Sequence, residues 1–162
     1  MDEEDTRVES AVERFQEACR RVGAKVTHQR LVVLRSVVER NDHPDAEAVY
    51  ESVRKEMPTI SLDTVYRTLW FLRDLGILST VGPQRDRVRF DPDTSTHHHF
   101  VCARCGTAHD FRNPEFDELA VPPEIVALGR VETSHVELRG LCTGCLGNEG
   151  KQDINGLKGV GP

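Results

Sequence analysis

The chain has 162 residues, of which 38% are hydrophobic and 30% charged, with a formal net charge of −6. This is an ordinary globular mixture, long enough for one or two compact domains. The sequence has no apolar run of spanning length, and Met1-Asp2-Glu3-Glu4-Asp5 is acidic and polar; the expectation is a cytoplasmic protein with no signal peptide and no membrane partner.

The elements follow in chain order. Val8, Val12, Phe15, Cys19 and Val22 recur at steps of four and three, an amphipathic helix that Gly23 ends. Cys19 falls in that stripe and reads as a small buried hydrophobe. Thr27 caps a second helix carrying Leu31, Leu34, Val37 and Val38, broken by Asn41-Asp42-His43-Pro44. Asp45 caps a third, with Ala46, Val49, Tyr50, Val53 and Met57 on one side and Pro58 at its close. Ser61 caps a fourth, with Leu62, Val65, Leu69 and Leu72 inside and Gly76 at its end. The segments 77–81 and 87–90 then read as two short strands around a polar Gly82-Pro83 turn. Helices followed by such a hairpin predict a winged helix-turn-helix, a DNA-binding architecture.

Charge agrees with that reading in its distribution. Residues 6–91 hold fifteen Lys/Arg against thirteen Asp/Glu, whereas residues 92–162 hold six against ten, so the acidity lies in the second half and the first few residues. Ser61, Thr64, Tyr66 and Arg67 are the candidate DNA contacts of the fourth helix, with Asp63 and Trp70 around it. Arg reads guanine edges or holds phosphate; Thr and Tyr suit phosphate or thymine methyl.

The second half reads as strands around metal. Cys102-x-x-Cys105 and Cys142-x-x-Cys145 form two knuckles whose four thiolates suit one structural zinc. Five cysteines, four of them in metal spacing, fit a reducing compartment better than a disulfide framework. Residues 99–101 lead into the first knuckle and residues 107–111 return from it. A helix interrupted by Pro122-Pro123 is predicted over 114–128, and a strand over 131–141. The tail after 146 is Gly-rich and polar and is expected to be disordered. The small sheet leaves edges that invite a second copy.

These segments together resemble the ferric uptake regulator superfamily of metal-dependent bacterial repressors, over about residues 7–146. The resemblance rests on Val26-Thr27-His28-Gln29-Arg30, His43-Pro44-Asp45-Ala46, Ser61-Leu62-Asp63-Thr64-Val65-Tyr66-Arg67-Thr68-Leu69, the run from His97 to Gly106, and Gly140-Leu141-Cys142-Thr143-Gly144-Cys145. It implies an α+β chain that is not an enzyme. Residues 1–91 would form the winged-helix DNA-binding domain, 92–146 a small α/β dimerisation and metal-binding domain, and 147–162 a tail. It implies a homodimer on a palindromic double-stranded operator, with Lys25 reaching the minor groove.

The positions aligned with the family's regulatory metal site are His43, Asp91, His97, His99 and Asp110. Three imidazoles and two carboxylates without sulfur suit Fe(II) or Mn(II). His97 and His99, two apart on a strand, point to one side, while His98 points to the other. Asp110, and Arg-Phe-Asp at 89–91, resemble the peroxide-sensing branch, where iron sensors carry Glu at the position of Asp110. In that branch peroxide is the only small molecule engaged, as a signal, and Fe(II)-catalysed oxidation falls on residues matching His43 and His97. An accessory metal site maps onto His98, Asp117 and His135 with the wrong spacing at His135 and Thr96 in place of a His. The alternatives are an iron-sensing repressor, a zinc-sensing one, a zinc-ribbon interaction module, and a non-haem iron oxygenase built on His97, His99 and a carboxylate.

Overall fold

The computed structural model describes residues 3–40, 42–82, 88–131 and 133–147. Helix α1 spans Glu3–Val22, α2 His28–Val38, α3 Ala46–Glu56 and α4 Leu62–Asp74; strands β1 (Ser79–Val81) and β2 (Arg89–Asp91) follow as an antiparallel hairpin. The turn residues 83–87 and the tail from 148 lie outside the described residues.

Local chemistry sets the helix ends. The side chains of Thr27, Asp45 and Ser61 accept from the backbone N–H groups of Arg30, Ala48 and Thr64, each satisfying a donor that the helix itself leaves unpaired. At the far ends, Gly23 and Gly76 sit at φ 69° and 71°. Ala24 N–H reaches the Cys19 carbonyl and Ile77 N–H the Leu72 carbonyl, closing each helix with a left-handed residue that only glycine adopts without strain.

The four helices share one core of Phe15, Cys19, Val33, Leu34, Val37, Val49, Val53, Val65, Leu69 and Leu72, joined by Phe90 from β2. Trp70 belongs to this packing rather than to the outer face of α4. Its ring meets Phe90 edge-on at 5.8 Å, and Arg73 stacks over it at 4.6 Å. The hairpin lies against α4 through that contact.

The remaining elements are β3 (His98–Cys102), β4 (Ala108–Phe111), the single turns α5 (Pro114–Asp117) and α6 (Pro123–Val126), β5 (Glu137–Gly140) and the single turn α7 (Thr143–Gly147). The sheet order is β4-β3-β5, antiparallel on one side and parallel on the other. Two expectations are corrected here. The helix predicted over 114–128 is interrupted at Pro122-Pro123 as expected, but only a single turn forms on each side of the break. The strand predicted over 131–141 pairs, among the described residues, only from Glu137; the Val136 N–H goes to the His98 ring instead of the ladder.

The chain divides into two compact units between Ser95 and Thr96. Residues 92–95 are tied to the first: Asp93 N–H donates to Asp91 at 2.8 Å and Arg14 to the Thr94 hydroxyl at 3.1 Å. In the second unit the buried apolar residues, among those described, are Val101, Cys102 and Ala108. No described helix is long and apolar enough to cross a membrane.

Candidate metal centres and nucleic-acid face

The four cysteines converge, with every Sγ within 4.8 Å of the others. Two pieces of backbone bring them together. Gly106 turns the first knuckle at φ 70°, its N–H bonded to the Cys102 carbonyl. Parallel pairing of Cys102 with Gly140, and the Ala103 N–H bond to the Gly140 carbonyl at 2.7 Å, lay the second knuckle beside it. Gly140 packs closely there, since a Cβ would stand 3.2 Å from the Phe100 ring and oblige it to shift by a few tenths of an ångström.

Donor chemistry tests the fit to a metal. The backbone N–H groups of Cys105 and Cys142 aim at Cys102 and bring its thiol down to about 5. The Thr107 hydroxyl and N–H lower Cys105. Burial, and then the neighbouring sulfurs, push Cys145 up to about 12. The cluster therefore readily ionises in part and resists full ionisation, the pattern expected when a thiophilic dication completes the charge balance. Four sulfurs and no other ligand fit a closed tetrahedral zinc site.

A sulfur-free group lies a few residues away. His97 and His99 face each other with Nε2 atoms 2.9 Å apart and rings edge-on. Both approach Asp110 Oδ1, at 3.6 and 3.4 Å. Asp110 is there because it pairs with His99 across the β3–β4 ladder. Both histidines are buried. Two imidazole nitrogens and a carboxylate oxygen aimed at one point fit a divalent cation of intermediate hardness.

In the first unit, His43 and Asp91 form a second sulfur-free pair, Nε2 to Oδ1 at 3.7 Å, both buried. Asp91 also accepts from the Ser79 hydroxyl and the Asp93 N–H, which fix its carboxylate at the end of β2.

His98 stands apart. Its ring packs on Phe111 and Phe116, its Nδ1 accepts from Val136 N–H at 3.2 Å, and its Nε2 lies 3.1 Å from Asp117. An accepting Nδ1 leaves the proton on Nε2, facing the carboxylate. His135 does not join this pair: its ring lies 6.2 Å from that of His99.

At α4 and its cap, Ser61, Tyr66 and Arg67 are exposed and Thr64 is half-buried, each bonded to a neighbour. Arg67 is held by Asp63 at 2.9 Å, and Tyr66 donates to Glu47 of α3 at 2.9 Å. Ser61 and Thr64 share a hydroxyl hydrogen bond at 2.8 Å. Lys25 lies just before α2, its carbonyl accepting from Arg30 at 2.6 Å. The Tyr66–Glu47 link was not legible in the sequence; the nineteen-residue separation carries no local signal.

The sequence pattern of the ferric uptake regulator family matches residues 21–139. The peroxide-responsive repressor PerR of Staphylococcus epidermidis is 31% identical over 126 residues, 78% of this chain and 84% of that one. Among solved structures, the Campylobacter jejuni peroxide stress regulator is 29% identical with a TM-score of 0.58, covering 72% of this chain and 88% of the other. The Helicobacter pylori ferric uptake regulator aligns with a TM-score of 0.71 over 86% and 93% of the two chains, at 24% identity, a likeness of fold. Members of this family are transcription factors that bind DNA as homodimers. The chain belongs to the ferric uptake regulator family, as a metal-sensing, DNA-binding repressor similar to the peroxide-responsive members.

Proposed function

We propose that this protein is a peroxide-sensing repressor whose regulatory metal is held jointly by His43 and Asp91 of the first unit and His97, His99 and Asp110 of the second. The observation that carries the reading is the convergence of His97, His99 and Asp110 on one point, separate from four cysteines that form their own cluster. Two donor sets of different softness suit two metals with different tasks: zinc for structure and Fe(II) or Mn(II) for regulation.

A shared metal gives a switch. A ligand set drawn from both units favours the placements of the units in which all five side chains meet. In a homodimer that choice sets the spacing of two α4 helices for two half-sites of a palindrome, with the helix and hairpin acting as a winged-helix reader. Exposed Leu119, Ile125, Val126, Leu128 and Leu138 of the second unit support a second copy as the cover for that face.

Fe(II) held by His43, Asp91, His97, His99 and Asp110 would supply the redox chemistry that turns peroxide into an oxidant. His43 and His97 would present their rings at high effective concentration, each able to gain one peroxide oxygen at a ring carbon while the displaced hydrogen and the second oxygen leave as water. An oxidised ring would be a poorer ligand, the regulatory metal would be lost, and the repressor would leave its operator. Asp110, one methylene shorter than Glu, supports this branch of the family.

The test is intact mass and operator binding of Fe(II)-loaded and Mn(II)-loaded protein after modest peroxide. The Fe(II) form should gain the mass of an oxygen atom on His43 or His97 and release DNA, and the Mn(II) form should do neither. An Fe(II) form that stays unmodified and bound, at peroxide that oxidises free Fe(II), replaces this reading with an iron-sensing repressor.

A further inference from the structure

His43 holds a backbone conformation that needs an explanation. Its φ is 48°, the left-handed region, where among the described residues no other non-glycine sits. A side chain there is strained unless its surroundings hold it, and such strain gathers at functional positions. Pro44 follows and narrows the choices of His43 further.

The holding groups come from β2. Arg89 donates to the His43 carbonyl at 2.9 Å and reaches the Asp42 carbonyl at 3.4 Å. The backbone of Arg89 bridges Asp45, and Phe90 N–H donates to the Pro44 carbonyl at 3.0 Å. From the other side Arg40 pairs with Asp42 through two bonds, at 2.9 and 2.6 Å. Arg89 and Asp91 lie two apart on one strand, hence on one side of it. The same three-residue strand thus presents the carboxylate and grips the loop that carries the imidazole.

We propose that Arg89 is a positioning residue for the regulatory metal: its guanidinium clamps the strained His43 backbone so that the imidazole stays beside Asp91. This rests on the reading of His43 and Asp91 as metal ligands. The sign of the effect separates it from electrostatics. A guanidinium near a cation site repels the cation, so loss of its charge alone would tighten metal binding. Loss of a clamp loosens it, in the way that supporting partners of metal ligands commonly change affinity by about ten- to a hundredfold.

The experiment is Mn(II) titration calorimetry on zinc-loaded full-length protein, comparing Arg89→Met, Arg89→Lys, Asp91→Ala and the parent. Arg89→Met should weaken Mn(II) by about tenfold or more, and Arg89→Lys, which keeps the charge and one reach to the carbonyl, should fall between. Thermal unfolding of the Mn(II)-free forms, with Arg89→Lys as the variant that preserves the fold, shows that the loss belongs to binding. Unchanged or tighter Mn(II) binding in Arg89→Met, with Asp91→Ala still abolishing it, overturns the clamp alone. Unchanged binding in Asp91→Ala overturns the ligand assignment beneath it.

Discussion

Replacement of Cys142 by Ser should unfold the second unit and leave the first standing. The three strands there comprise thirteen residues. Fixing their backbone costs about 1–2 kcal/mol per residue. Against this the apolar residues the unit buries, among those described, are Val101, Cys102 and Ala108, and full burial of a Val contributes only about 1.5–3 kcal/mol. The deficit is of the order of the 10–16 kcal/mol that a structural zinc supplies to a small domain near neutral pH. Subunit contact adds to it only once the sheet exists. The first unit has a continuous four-helix core and contains none of the four clustered cysteines. Amide hydrogen exchange followed by mass spectrometry separates the two. In zinc-free Cys142→Ser, the amides of 98–102 and 108–111 should exchange as in an unfolded chain, while those of α2 and α4 remain slow. Slow exchange at Val101 and Ala108 in that variant would refute the claim that metal supplies the missing stability.

The remaining expectations concern DNA and the branch of the family. Arg67→Ala and Tyr66→Ala should abolish specific operator binding in fluorescence anisotropy while dimer and metal content stay as in the parent; unchanged affinity in Arg67→Ala removes α4 from its role. Lys25→Ala should lower the slope of log affinity against log salt by about one unit if it neutralises one phosphate, and an unaltered slope excludes that contact. Ser61→Ala removes the acceptor for Thr64 N–H and should cost about 1 kcal/mol of first-unit stability in urea titration; no change would mean that water replaces the cap. Asp110→Glu should keep metal-dependent repression but reduce peroxide-driven histidine oxidation, and equal oxidation in both proteins would detach the branch from this residue.

What the sequence made legible was local. Thr27, Asp45 and Ser61 announce helix starts because capping acts across three residues, and all three serve as caps. Alternation likewise placed His97 and His99 on one side and His98 on the other, and the structure agrees. Features that depend on distant partners were not legible. The strand from 131 looks long because its side chains alternate, but pairing starts only at Glu137, where the Val136 N–H has been taken by the His98 ring. Trp70 read as an outer residue because nothing in α4 reveals that Phe90 of the hairpin covers it. Arg89 carried no signal as a clamp, since its partner carbonyl lies forty-six residues earlier.

The parallel pairing of β3 with β5 also governs the order of events at the ribosome. Cys105 and Cys142 stand thirty-seven positions apart and touch at 3.7 Å. The first knuckle emerges with half of its sulfurs and must wait for the intervening turns and β5 before the cluster closes. By then the four helices and hairpin have cleared the exit tunnel, and domains generally fold as units from the N-terminal side during synthesis. A pulse-labelled nascent chain should therefore show a protease-resistant first half before it retains zinc. Each new molecule would pass through an interval in which the four-helix half is built and the cysteine-cluster half is not.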